Sequence, residues 1–226
     1  MLPVMFRGLF VICFLLALSV LPSHAGTMTM EDYDRAVELE PEKAEAHCNR
    51  GDAYADLENL QQAIKNYDKA IELDPKLAAA YNGRGNAYRS FGDHKRAIND
   101  YDKAIVIDPK YAVALNNRGV AYAKLRNYLL AVADFNKAIE LDSKYAMAFN
   151  NRGVAYARLG KHQQALDDFN KAIALDPKLG LAHNNRGTAY YRLGNHQQAL
   201  KGWKVAVKLW RKSGHEDYFK LQGLSW

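Results

Sequence analysis

Cysteine is nearly absent from this 226-residue chain, which holds two, and proline is scarce at six. Two cysteines exclude a disulfide-stapled scaffold, a four-cysteine zinc site and an iron–sulfur cluster. Catalytic signatures are missing as well: the chain has no G-x-S-x-G, no Walker-type loop, no G-x-G-x-x-G and no H-E-x-x-H. No charge of one sign dominates, with 31 Lys+Arg against 25 Asp+Glu and a net charge of +6. Without a clustered basic patch that excess does not indicate nucleic-acid binding. A 49% hydrophobic content with 25% charged residues excludes a mainly disordered chain. What the chain has in quantity is tyrosine, 14 copies, and glycine, 15 copies.

Only one long uncharged run is present. Met1 to Leu21 carries a single charge, Arg7, and Pro22-Ser23-His24-Ala25-Gly26 follows. A basic start, an apolar run and small residues at Ser23 and Ala25 predict a secretory signal peptide, residues 1–25, cleaved after Ala25. This places the protein in a secreted or periplasmic compartment. The alternative is an uncleaved membrane anchor, for which the run is short unless Arg7 enters the bilayer. Cleavage removes one arginine and leaves a charge of +5. Cys48 then stands alone, so no intramolecular disulfide can form. It reads either as a small buried apolar residue or as an intermolecular disulfide or redox site.

The remainder repeats with a period of 34. Gly51, Gly85, Gly119, Gly153 and Gly187 mark the step, as do Tyr54, Tyr88, Tyr122, Tyr156 and Tyr190. Ala63, Ala97, Ala131, Ala165 and Ala199 form a third column, and Ala70, Ala104, Ala138, Ala172 and Ala206 a fourth. An aromatic column runs through Tyr67, Tyr101, Phe135, Phe169 and Trp203. Four of the units close on Asp74-Pro75, Asp108-Pro109, Asp142-Ser143 and Asp176-Pro177.

Each unit reads as two helices. In the first, Ala44 to Leu57 and Leu60 to Leu73 place helix formers with apolar residues three and four apart. Gly92, Gly160 and Gly194 can adopt the left-handed conformation that ends a helix, whereas Glu58 and Arg126 make their turns costlier or differently shaped. Gly51 and Ala63 let the paired helices approach closely, and Tyr54 and Tyr67 fill the space toward the next unit. Asp-Pro stops the second helix, because proline disfavours helical geometry in the residue before it.

This pattern resembles the tetratricopeptide repeat family. The resemblance implies an all-α fold, a right-handed α-solenoid of helix-turn-helix repeats. It covers five units at residues 44–77, 78–111, 112–145, 146–179 and 180–213. Residues 26–43 form an N-terminal half repeat whose single helix spans Met28 to Pro41. Residues 214–226 form a C-terminal cap, with Trp210 and Trp226 as its packing residues, and the last helix runs on toward Lys212. One departure recurs. Where the family usually has an aliphatic residue before the glycine, this chain has Arg50, Arg84, Arg118, Arg152 and Arg186. These read as arginines with buried stems and ion-paired heads, the alternative being a role in binding a ligand.

By the same resemblance, the concave face is lined by first-helix positions 2, 5, 6, 9, 12 and 13 of each unit. Carried over, the candidate peptide-binding residues are Asn49 in unit one and Asn82 and Asn86 in unit two. Unit three supplies Asn116, Asn117, Val120 and Lys124, and unit four Asn150, Asn151, Val154 and Arg158. Unit five supplies Asn184, Asn185, Thr188 and Arg192. Val113, Met147 and Leu181 add apolar contacts, and Asp52 and Asp56 make the opposite end acidic. An asparagine amide both donates and accepts, which suits a peptide backbone of any sequence. The recurrence also fits packing residues copied by duplication, since NNRGVAYA stands at both 116–123 and 150–157. A chaperone-tail clamp is not expected, because Asn82, Met147 and Asn151 stand where it needs basic residues.

The expectation is therefore a non-enzymatic interaction scaffold with a protein or peptide partner, no cofactor, no metal and no nucleic acid. The acidic pairs Asp100-Asp102 and Asp167-Asp168 read as solvated faces of second helices. Alternatives are a membrane-tethered assembly factor and a homo-oligomer joined through the unpaired helix at Met28 to Glu40.

Overall fold

A computed structural model describes residues 28–212, so the expected signal peptide, Trp226 and the C-terminal cap lie outside the described residues. Within them the chain is helical, with no strand. The helices are α1 (Met30–Leu39), α2 (Ala44–Asp56), α3 (Leu60–Leu73), α4 (Ala78–Ser90), α5 (His94–Ile107) and α6 (Ala112–Lys124). They continue as α7 (Tyr128–Leu141), α8 (Ala146–Arg158), α9 (His162–Leu175), α10 (Gly180–Arg192) and α11 (His196–Lys212). Five hairpins, α2–α3 through α10–α11, stack in order, and each second helix packs on the next first helix. Successive first helices also touch, which lines up one face of the solenoid.

The alanine and aromatic columns build the core. Both second-helix alanine columns are fully buried, and Tyr67, Tyr101, Phe135 and Phe169 are 0–1% exposed. Each such aromatic contributes about 1.5–3 kcal/mol by burial. The glycine column makes room for it: a Cβ at Gly119 would lie 2.7 Å from Phe135 Cε1.

The hairpin turns share one conformation. Glu58 (φ 58°) and Arg126 (φ 64°) occupy the same left-handed region as Gly92, Gly160 and Gly194. These two turns are thus costlier but not differently shaped. Between units, the Asp74 carboxylate accepts from the Lys76 N–H at 2.8 Å, and Asp108, Asp142 and Asp176 repeat the bond at 2.9 Å. Unit three ends this way with Ser143 in place of proline, so the recurrent aspartate shapes the break more than proline does.

The pre-glycine arginines form a ladder along the stack. Arg118 makes two bonds to Asp134 on its own second helix, 2.8 and 2.6 Å, and one to Asp102 on the preceding one, 2.7 Å. Arg84 joins Asp100 and Asp68 in the same way, and Arg152 joins Asp168 and Asn136. Arg50 bridges Asn66 and Asp34. Asp100 and Asp168 are therefore not solvated. They are buried and satisfied by guanidinium, while Asp102 is tied to the next unit; Asp167 alone of the four is exposed and unbound to arginine. Arg186 breaks the series. Gly202 replaces the carboxylate of its second helix, so it reaches only Asn170, at 3.0 Å, and its Nε is buried without a partner.

Candidate functional site

Fixed helix spacing makes the asparagines interlock between units. The Asn117 Nδ2 donates to Asn82 Oδ1 at 3.0 Å, Asn151 to Asn116 at 3.0 Å, and Asn185 to Asn150 at 2.9 Å. Asn82, Asn116 and Asn150 are buried, so they form a floor beneath the concave surface rather than its lining. Asn117, Asn151 and Asn185 are half-exposed and keep a second N–H for the groove. The ladder has two free ends. Among the described residues, Asn49 is exposed with no first helix before it, and Asn184 is half-buried with none after it. At the unit one–unit two step, Cys48 and Gly83 stand in place of the pair.

A second coupling links the groove to the aromatic column. Tyr67 donates its hydroxyl to Asp52 at 2.6 Å, and Tyr101 to Asn86 at 2.8 Å. Where the aromatic is phenylalanine, Val120 and Val154 stand opposite. Where it is Trp203, the indole N–H points to Thr188 Oγ1 at 3.4 Å. Position 9 is thus matched to an aromatic fifteen residues later, polar to polar and apolar to apolar. The pairing could have been found in the sequence as a correlation between two columns.

Two neighbouring pockets of about 440 Å³ each lie where these columns meet. One is lined by Val120, Lys124, Asn151, Val154 and Arg158 over Phe135. The next is lined by Val154, Arg158, Asn185, Thr188 and Arg192 over Phe169. Val154 and Arg158 belong to both. Lys124, Arg158 and Arg192 are exposed and form no ion pair among the described residues. Second helices contribute wall residues that a list of first-helix positions omits, namely Tyr128 in one pocket and His162 in the other. Of the asparagines expected in the groove only Asn151 and Asn185 line these pockets; Asn49, Asn82, Asn86, Asn116, Asn117, Asn150 and Asn184 line neither.

Cys48 is buried, and its thiol is pushed up to about 12, first by burial and then by the negative charges of Asp52 and Glu45. That environment makes it a packing residue with little thiolate. Among the described residues no cluster of three or more His, Cys, Asp or Glu is placed to hold a metal, and no helix is long and apolar enough to cross a membrane.

Family profiles match most of the described chain. Profiles for tetratricopeptide repeat match residues 112–145, 146–179 and 169–201, and one for TPR repeat matches 30–58, 51–89 and 85–125. A comparison with curated proteins finds no match. Among solved structures, MamA is similar at 27% identity and a TM-score of 0.63, covering 73% of this chain and 96% of that one. YrrB, described as a TPR protein with an unusual peptide-binding site, is 28% identical with a TM-score of 0.62 over 80% of this chain and 93% of that one. Cut9 in the Cut9–Hcn1 hetero-tetramer shares the fold at 23% identity and a TM-score of 0.73, over 78% of this chain and 35% of that one. Profiles and neighbours agree with the stacked hairpins, and the chain belongs to the tetratricopeptide repeat family.

Proposed function

We propose that the chain is a non-enzymatic scaffold, exported from the cytoplasm, that holds an extended protein segment along the concave face of units three to five. The observation that carries this reading is the pair of contiguous pockets sharing Val154 and Arg158. Each combines an amide for backbone contacts, an apolar wall and two first-helix cations, with Arg126 of the hairpin turn as a third in the pocket over Phe135. The peptide-binding description of YrrB supports the same reading, and the composition of residues 1–25 supports export.

The spacing of the cations suggests the segment's chemistry. Neighbouring helices lie about 8–10 Å apart, and a segment in the extended polyproline II form rises about 3.1 Å per residue with every third side chain on one side. Acidic side chains at every third position would therefore meet Lys124, Arg158 and Arg192 in turn. A carboxylate gains most from arginine, which can hold it with two parallel bonds.

The test is binding of labelled extended peptides with acids at every third position, measured by fluorescence anisotropy. Replacing Asn117, Asn151 and Asn185 together by alanine should abolish binding while helicity is kept. Unchanged capture would overturn the groove reading. N-terminal sequencing of the protein from its host decides between a processed exported form and a tethered one.

A further inference from the structure

The two ends of the solenoid carry opposite charge and incomplete packing. In unit four, Leu166 is 4% exposed, because Ala189 of the next first helix packs over it. Its counterpart one repeat later, Leu200, is 51% exposed. No first helix follows α11 among the described residues. Leu200, Trp203 and Val207 therefore line an open apolar pocket of about 450 Å³, edged by Lys204, Lys208 and Arg211. Helix α11 carries four lysines, one arginine and no acid.

At the other end, α1 is a second-type helix without its first-type partner among the described residues. Tyr33 and Ala36 stand in the columns of Tyr67 and Ala70, which are 1% and 0% exposed, yet both are only half-buried. This helix carries four carboxylates against one arginine. Asp34 is drawn to Arg50. Asp32 stands in the column of Asp100 and Asp134, which are held by the arginine of their own first helix, and with the exposed Glu40 it shares the open side of Tyr33 and Ala36.

We propose that the chain associates head to tail with copies of itself, the basic apolar face of α11 seating on the acidic face of α1 in the next copy. Apolar surface meets apolar surface at the centre, and opposite charges meet at the rim, which favours this pairing over like-end contacts. Two different patches are joined, so the contact does not close at a dimer; it extends into chains or closes as a ring. The contact leaves the concave groove free, so it stands or falls separately from peptide binding.

The test uses the processed chain in sedimentation velocity across a dilution series. The expected result is a weight-average mass that at least doubles with concentration at low salt. Affinity should fall on the order of tenfold between dilute and near-molar salt, because exposed charges are then screened within a few ångströms. Reversing the α11 rim (Lys204→Glu, Lys208→Glu, Arg211→Glu) should leave a folded monomer by circular dichroism. Reversing α1 (Asp32→Lys, Glu40→Lys) should do the same. Mixing the two variants should restore assembly, since each then offers the end the other lacks. A wild-type chain that stays monomeric overturns the proposal, as it would if residues 213–226 cover the α11 face. So does assembly that survives both reversals, or a mixture that remains monomeric.

Discussion

Asn151 donates its side-chain N–H to the buried side-chain oxygen of Asn116, 35 residues earlier in the chain, at 3.0 Å. This bond joins two repeats and turns the asparagine recurrence into two roles. The buried amide aims the half-exposed one, and only the latter has hydrogen-bonding capacity left for a ligand.

These roles separate by mutation. Asn116→Ala removes the acceptor from a buried position and should cost about 1–2 kcal/mol of stability. Asn151→Ala leaves a group nearer to water and should cost less than about 1 kcal/mol, while weakening peptide binding more. Urea denaturation beside anisotropy on the same two variants checks the inversion.

The coupling between position 9 and the aromatic column predicts a rescue. Phe135→Tyr places a hydroxyl opposite Val120 with no acceptor and should destabilise by about 1–3 kcal/mol. Val120→Asn added to it recreates the Asn86–Tyr101 pair and should recover most of the loss. A double-mutant cycle measures the interaction.

The arginine ladder should be unequal. Arg118→Met leaves Asp134 buried without its cation and should cost about 3–5 kcal/mol. Arg186→Met strips no carboxylate of its partner and frees a buried Nε that had none, so its cost should stay below about 1 kcal/mol. Thermal unfolding ranks them, and equal losses would mean that the guanidinium stems, not the ion pairs, dominate.

Two turns hold non-glycine residues in the left-handed region. Glu58→Gly and Arg126→Gly should each stabilise by a few tenths to about 1 kcal/mol, the relief of a strained backbone offset by a freer unfolded chain. Gly160→Ala, which meets no atom within 4 Å, should still destabilise because its φ is 76°. Chemical denaturation of the three variants checks the signs.

Cys48 should resist alkylation at pH 8 in the folded chain and react on unfolding. Its folded pKa, about 12, lies above the unfolded value near 8.5. The stability it contributes is therefore complete below about pH 8.5 and is lost progressively as pH rises toward 12. Cys48→Ala should flatten that part of the alkaline loss. Iodoacetamide trapping and denaturation at stepped pH read the two effects.

Much of this architecture was legible in one sequence. Period, hairpin, small-residue column and aromatic column follow from residue size and helical periodicity, which a linear pattern displays directly. Even the strain at Glu58 and Arg126 could be read, because left-handed backbone disfavours any side chain. The burial of Asp100 and Asp168 could not. A carboxylate on a helix looks solvated until the fold brings an arginine sixteen residues away against it. The asparagine row looked like a uniform lining for the same reason: sequence spacing names a helical face, but depth depends on the neighbouring unit. Tertiary packing alone decided which amides became floor and which remained open, which cations kept no partner, and that the scarce cysteine lies deep enough to stay a thiol at neutral pH.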